Sequence, residues 1–418
     1  MAARRPLLHV LVALVLAVAA GPVAAQTTPP TVPPPTPVPP LGSPSPYPTG
    51  LETPPPSTTP PRVEAASAAL SDLDSGRVLW AQGGAERRPI ASVTKIMTAL
   101  LVLESLRPGE RVVASPLAAS QTGAELGLRT GEEIPISDLL LALMLQSAND
   151  AAVALAEHVG GSVEGFVDRM NQRAEELKLR DTRFSSPNGL DDSGYSSARD
   201  LTALTAEAYR HPRFAAVVAT KFHRIRAPAG PSREIQNRNA LLWLYPGGMG
   251  VKTGYTAAAG FCLVATAERD GLRLAAVVLG APEQAFAEAA EVLNHGFATY
   301  ERRTVISAGQ EVEPITVDGQ EIPVEASGSV SILVRRDAQV ELDVEPQVGL
   351  ALPITAGQAV GRVTAVSPVG ETGDAPLIAR QSVDPTPVAA PRPKRSLWDR
   401  WWEAAAGVVV QLLGDLLG

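Results

Sequence analysis

"GVKTGYTAAAGFCLVATAERDGLRLAAVVLGA", residues 250–281, is the stretch on which the fold turns. "GVKTGYT", "GFCLVATAE" and "LRLAAVVLGA" are strand-like runs, and Asp270-Gly271 supplies the turn between the last two. Nearly two hundred residues upstream, "EAASAALSDLDSG" and "RVLWAQ" predict two more strands around a turn at Asp74-Ser75-Gly76. A long region with helical patterning, running to about residue 218, separates the two groups. Ser137 before "DLLLALML" reads as a cap there, and Gly160-Gly161 closes "AAVALAEHV". A last helix is expected at about 283–300. Strands at both ends with helices between imply an α+β domain whose sheet joins early and late segments.

The rest of the chain divides around this domain, which is expected to span 63–300. Residues 1–25 read as an export signal, with Arg4 and Arg5, the apolar "PLLHVLVALVLAVAA", and the small residues "VAA" before Gln26. An uncleaved anchor is the alternative reading of the same residues, and either places the remainder outside the cytoplasm. Residues 26–62 are rich in Pro, Thr and Ser and predict an extended tether with no core. Residues 301–382 turn valine-rich and turn-punctuated, in "TVISAGQ", "EVEPITV", "SVSILVRR", "VELDVEP" and "GRVTAVS", and predict a small all-β domain. A Pro-rich linker at 383–396 leads to residues 397–418. There Trp398, Trp401, Trp402, Ala405, Val408, Val409, Leu412, Leu413 and Leu416 recur at helical spacing. Tryptophans with upstream Lys394 and Arg395 suit a helix lying in a membrane surface, and docking on the β-domain is the alternative.

Composition excludes several classes of function. A net charge of −8 argues against a nucleic-acid partner. The single cysteine, Cys262, lies in a strand-like run and reads as a buried, inert thiol, with no disulfide framework to join. The five histidines show no metal-ligating spacing, so neither metal nor cofactor is expected.

The basic residues are mostly arginine; only Lys95, Lys178, Lys221, Lys252 and Lys394 are lysine. Lys95 stands in "PIASVTKIMTALL", three places after Ser92, so both share one face if the segment is helical. A serine hydroxyl is a weak nucleophile until a base takes its proton. Arginine cannot do so at physiological pH, whereas a lysine whose pKa is lowered by burial and a neighbouring cation can. Ser-x-x-Lys alone is a weak signal, since a helix cap followed by a solvated lysine gives the same spacing. Two further stretches change its meaning. "MLQSANDAAVAL" puts Ser147-Ala148-Asn149 between helical segments, and Lys252-Thr253-Gly254 lies on a strand, in that order along the chain.

With these three motifs the chain resembles the low-molecular-mass penicillin-binding proteins, serine-type D-alanyl-D-alanine carboxypeptidases. The likeness runs from about 64 to 382 and includes "RPIASVTKIMTALLVLE", "FVDRMNQRAEEL", "SSPNGLDDSGYSSARDLTAL" and "NRNALLWLYPG". The resemblance implies a DD-peptidase/β-lactamase-like domain, an antiparallel sheet with a helical cluster, followed by the small all-β domain and a membrane-association helix. It implies Ser92 as nucleophile, Lys95 as base, and Ser147 as a proton relay to the leaving amine. Asn149 would hold the substrate backbone, while Lys252, Thr253 and Arg238 would take its terminal carboxylate, a surface charge being the alternative for Arg238. Gly254 would let the acyl group lie close to the strand, and the backbone N–H groups of Ser92 and Tyr255 would form an oxyanion hole. The implied partners are peptidoglycan stem peptides, β-lactams as covalent inhibitors, and a membrane surface at the outer face of the cytoplasmic membrane. Arg199 is expected in a structural ion pair. At Ala124, in "TGAELGL", the family commonly has a serine. A β-lactamase and an inert wall-binding scaffold are the rival functions. The segment between the second and third motifs has no glutamate in the context a class A lactamase would need.

Overall fold

The computed structural model describes residues 56–107, 109–226, 232–283, 285–386 and 396–417. The expected export signal, most of the first Pro-rich segment, and residues 387–395 of the second lie outside these residues.

In chain order the first part comprises β1 (Ser67–Asp72), β2 (Val78–Gln82), α1 (Lys95–Ser105), β3 (Arg111–Val113), α2 (Pro116–Ala119) and β4 (Glu133–Pro135). Then come α3 (Ile136–Leu141), α4 (Asn149–Gly160), α5 (Val163–Glu176), α6 (Ala198–Tyr209) and α7 (Pro212–Ala219). The hairpin β5 (Phe222–Ile225) and β6 (Arg233–Gln236), the short α8 (Leu241–Leu244), β7 (Gly248–Thr256), β8 (Gly260–Arg269), β9 (Leu272–Ala281) and α9 (Phe286–Thr299) complete it. Five strands form one antiparallel sheet in the order β2-β1-β9-β8-β7, so the early hairpin inserts beside the last strand. Sheet and helical cluster together are the α+β architecture expected.

The apolar runs of β8 and β9 do not alternate with polar residues because both faces of the sheet are covered. Ala69, Cys262, Val264, Val277 and Leu279 point into the helical cluster built around α1, α4 and α6. Their neighbours Ala68, Leu70, Leu263, Ala265, Leu274, Ala276 and Val278 point to the opposite face, where α9 packs. One period-2 pattern therefore serves two cores.

The helical region differs from expectation in two places. A small ladder of β3 with β4 interrupts it. Ser137 is not a cap: α3 starts one residue earlier, with Pro135 at the N-cap position and no side-chain cap bond. The serines that do cap are Ser115, Ser162 and Ser197, each accepting a bond from the backbone N–H three residues on. Gly161 ends α4 in the left-handed conformation, as its residue type predicts.

The chain continues through β10 (Tyr300–Ile306), β11 (Ile315–Val317), β12 (Gln320–Ile322), β13 (Val324–Ala326), β14 (Val330–Arg335), β15 (Glu341–Pro346), β16 (Ala359–Val366) and β17 (Thr372–Ala379). β10 pairs with β14, β11 with β12, and β13-β17-β16-β15 make a four-stranded sheet around a separate apolar core. β12, β13 and β17 escaped the sequence reading; the first two are three residues long, and β17 carries Gly373, Asp374 and Pro376. Arg302 on β10 reaches back to the fully buried Asp72 of β1 and to Glu371, and Arg77 donates to the carbonyls of Val369 and Gly370.

The last helix, α10 (Leu397–Leu417), begins with a reciprocal cap between Ser396 and Asp399. Its apolar face is not docked on the β-domain: Trp398, Trp401 and Trp402 are 70%, 60% and 65% exposed. Among the described residues no helix is long and apolar enough to cross a membrane.

Candidate active site

A 3-10 turn, Ala91–Thr94, leads into α1 and carries Ser92; Lys95 is the first residue of α1 proper. Ser92 is half-buried, Lys95 is fully buried, and Lys95 Nζ lies 2.8 Å from Ser92 Oγ. The spacing of three places them together because a 3-10 turn brings residues i and i+3 into line.

The second motif enters where a π-helical turn, Ala142–Gln146, gives way to α4. Ser147 takes the left-handed conformation there, with φ 65°, and is 5% exposed. Such a φ costs a non-glycine residue about 1 kcal/mol, and here it redirects the chain so that Asn149 opens α4. Asn149 Oδ1 accepts a bond from Lys95 Nζ at 2.9 Å, and its Nδ2 donates to Thr122 O at 2.8 Å. The Asn149 amide therefore meets the lysine rather than standing free along the cleft. Ser147 Oγ makes no hydrogen bond among the described residues.

A third partner was missed by the sequence reading. The carbonyl of Asn188, in "SSPNGL", accepts from Lys95 Nζ at 2.7 Å. This segment is held against the nucleophile turn, since Thr98 Oγ1 donates to Pro187 O at 2.7 Å. A backbone carbonyl has no side-chain signature, so a search for reactive residue types cannot find it.

The partners of Lys95 define its chemistry. A neutral amine has two N–H groups and one lone pair. In that state Asn149 Oδ1 and Asn188 O can take the two hydrogens, and the lone pair can face the Ser92 hydroxyl. No carboxylate bonds Lys95 or Ser92 among the described residues. Burial first, then the charges of Lys252 and Arg238, hold the amine well below the ordinary lysine range, with Asp150 opposing them.

Lys252, Thr253, Gly254 and Tyr255 lie on β7, at the open edge of the sheet. Lys252 is buried, and burial together with the Arg238 charge lowers its pKa to about 7. Its Nζ donates to Thr253 O at 2.8 Å. Arg238 is half-buried, tied through its backbone N–H to Leu145 O, and its charge acts on both lysines. Gly254 has a structural reason the sequence did not reveal. A Cβ there would stand 3.0 Å from Ser92 N and 3.1 Å from Ile90 O, so its absence lets β7 close on the nucleophile turn.

Two residues outside the site also resolve. Cys262 is buried, and burial pushes its thiol up to about 11. Arg199 makes no ion pair among the described residues; it packs on Gly84 and donates its backbone N–H to Gly84 O, correcting the expected structural pairing.

The family model described as D-alanyl-D-alanine carboxypeptidase, peptidase S11, matches residues 55–283. The chain belongs to this family. It is 34% identical over 334 residues to the D-alanyl-D-alanine carboxypeptidase DacF of Bacillus subtilis, covering 77% of this chain and 86% of that protein. To the D-alanyl-D-alanine carboxypeptidase DacC of Escherichia coli it is 34% identical over 352 residues, covering 78% and 85%. Among solved structures it resembles penicillin binding protein 5 from Haemophilus influenzae, at 31% identity and a TM-score of 0.60, with 78% of this chain and 99% of that one covered. The carboxypeptidase family thus accounts for the sheet, the helical cluster and the β-rich region, and the chain is a serine-type D-Ala-D-Ala carboxypeptidase.

Proposed function

We propose that this carboxypeptidase removes the terminal D-alanine from peptidoglycan stem pentapeptides through an acyl-enzyme on Ser92. The observation that carries this reading is the bonding of Lys95 Nζ, with neutral acceptors on two sides and Ser92 Oγ 2.8 Å away on the third. Lys95 takes the Ser92 proton as Oγ attacks the carbonyl between the two D-alanines. The negative charge on the carbonyl oxygen faces the backbone N–H groups of Ser92 and Tyr255. As the C–N bond breaks, the proton passes from Lys95, through the Ser147 hydroxyl, to the leaving amine of D-alanine. Water then attacks the ester, gives one proton to Lys95, and releases the shortened peptide with Ser92 restored.

Lys252, Thr253 and Arg238 hold the substrate's terminal carboxylate, a role supported by the adjacency of Lys252 and Thr253 on β7 and by the Arg238 charge that acts on Lys252. Gly254 keeps the strand close to Ser92, so the bound peptide and the nucleophile meet at bonding distance. β-Lactams enter by the same attack and leave a stable acyl group. The exposed apolar face of α10 supports attachment to the outer face of the cytoplasmic membrane after export.

A fluorescent penicillin and mass spectrometry test the reading together. Stable label on Ser92, absent from Ser92→Ala, and loss of one alanine from diacetyl-Lys-D-Ala-D-Ala are expected. Label on another residue would sink the assignment, fast release of label would indicate a lactamase, and no label would indicate a scaffold.

A further inference from the structure

Asp150, the residue after Asn149, is a buried carboxylate that the mechanism does not use. It is 1% exposed and bonds to no cationic side chain. Its oxygens accept instead from the backbone N–H groups of Leu126, Gly127 and Leu128 at 2.8–3.0 Å, and from its own neighbour Ala151 at 2.8 Å. A carboxylate buried among backbone donors is held only while those donors stay convergent. The loop that supplies them, 122–128, is also the loop that grips Asn149. Thr122 O accepts from Asn149 Nδ2, and Ala124 O accepts from the Asn149 backbone N–H at 2.7 Å. From outside, Arg233 on β6 donates to Gly127 O at 3.0 Å and pairs with Glu132.

We propose that Asp150 is a positioning residue for the catalytic base: it fastens the 122–128 loop to the start of α4, and this holds the Asn149 amide on Lys95 Nζ. The chain of contacts is continuous, from carboxylate to loop, from loop to Asn149, and from Asn149 to the amine. Asp150 also supplies the negative charge that opposes Lys252 of β7 and Arg238 at Lys95, while Asn149, Asn188 and Ser92 face the amine as neutral groups. Removing that charge makes the amine easier to deprotonate. The proposal rests on Lys95 acting as base for Ser92.

The test is a double-mutant cycle read by the rate of acylation with a penicillin and by its pH profile. Asp150→Asn is expected to slow acylation tenfold or more, but to add less than twofold in an Asn149→Ala background. The acidic limb of the profile for Asp150→Asn is expected to move to lower pH than in the unaltered enzyme. Independent, multiplying effects of the two substitutions, or an unmoved limb, would overturn the proposal even with Ser92 labelled normally. Failure of the unaltered enzyme to label Ser92 would instead strike the reading beneath it. Should Asp150→Asn not fold, Arg233→Gln loosens the same loop from its surface side. A two- to fivefold slowing that disappears in the Asn149→Ala background is then expected, and unchanged acylation would count against the proposal.

Discussion

At the scale of single residues, the proposed mechanism needs one amine, that of Lys95, to be uncharged. Lys95→Arg keeps positive charge but cannot lose its proton, so it should be as inactive as Lys95→Ala. Both variants should lose about 10²–10⁴-fold in D-alanine release, the usual worth of a general base. Near-normal release by the arginine variant would remove Lys95 from that role. In the same proposal Lys252 has the opposite requirement, because a cation is needed there to hold a carboxylate. With its pKa near 7 in the free enzyme, raising the pH above that value strips the charge before substrate binds. KM for a D-alanyl-D-alanine peptide should therefore rise with pH above about 7. In Lys252→Arg, whose charge does not titrate, KM should stay flat, as steady-state kinetics at several pH values would reveal.

At the scale of elements, the site is assembled by close approaches that glycine permits. Gly189 has φ +77°, and a Cβ there would fall 1.9 Å from Ala91 O, on the turn that carries Ser92. Gly189→Ala must displace either that turn or the Asn188 carbonyl. It is expected to cost more than about 2 kcal/mol of stability, visible as a lowered Tm, together with loss of penicillin labelling. Gly254→Ala is milder, since its Cβ would meet Ser92 N at 3.0 Å, and it should slow acylation with little change in Tm. Equal thermal losses in the two variants would contradict this ranking.

At the scale of the whole molecule, the β-rich region has its own apolar core, and it is joined to the first part by Leu333 and Val369 packing on the α9 side of the sheet and by the charge of Arg302. Arg302→Ala would leave Asp72 fully buried without its cation. Breaking a buried pair from one side costs about 3–5 kcal/mol, so chemical denaturation should show a loss of that order. Asp72→Asn combined with it should recover part of the loss. On the proposed attachment, deletion of 397–418 should release the protein from membranes, provided its export signal is cleaved, because the exposed tryptophan face goes with it. Unchanged sedimentation with membranes would exclude that helix as the attachment.

The sheet was legible from residues 250–281 and 65–82 because strand runs and turn residues are local signals, and the family was legible because three short motifs occur in order. Ser92 and Lys95 were readable together, since a spacing of three is itself a geometry. Proximity of Lys95 to Asn149, to the Asn188 carbonyl and to the Arg238 and Lys252 charges was not. Those groups lie 54, 93, 143 and 157 positions away along the chain, and only packing of α1, α4, β7 and the loops that carry Asn188 and Arg238 brings them together. The amino-acid order by itself determined which side chains could react. Tertiary structure alone decided that the lysine is buried and which acceptors surround its nitrogen, because desolvation and hydrogen-bond direction exist only once the chain has folded.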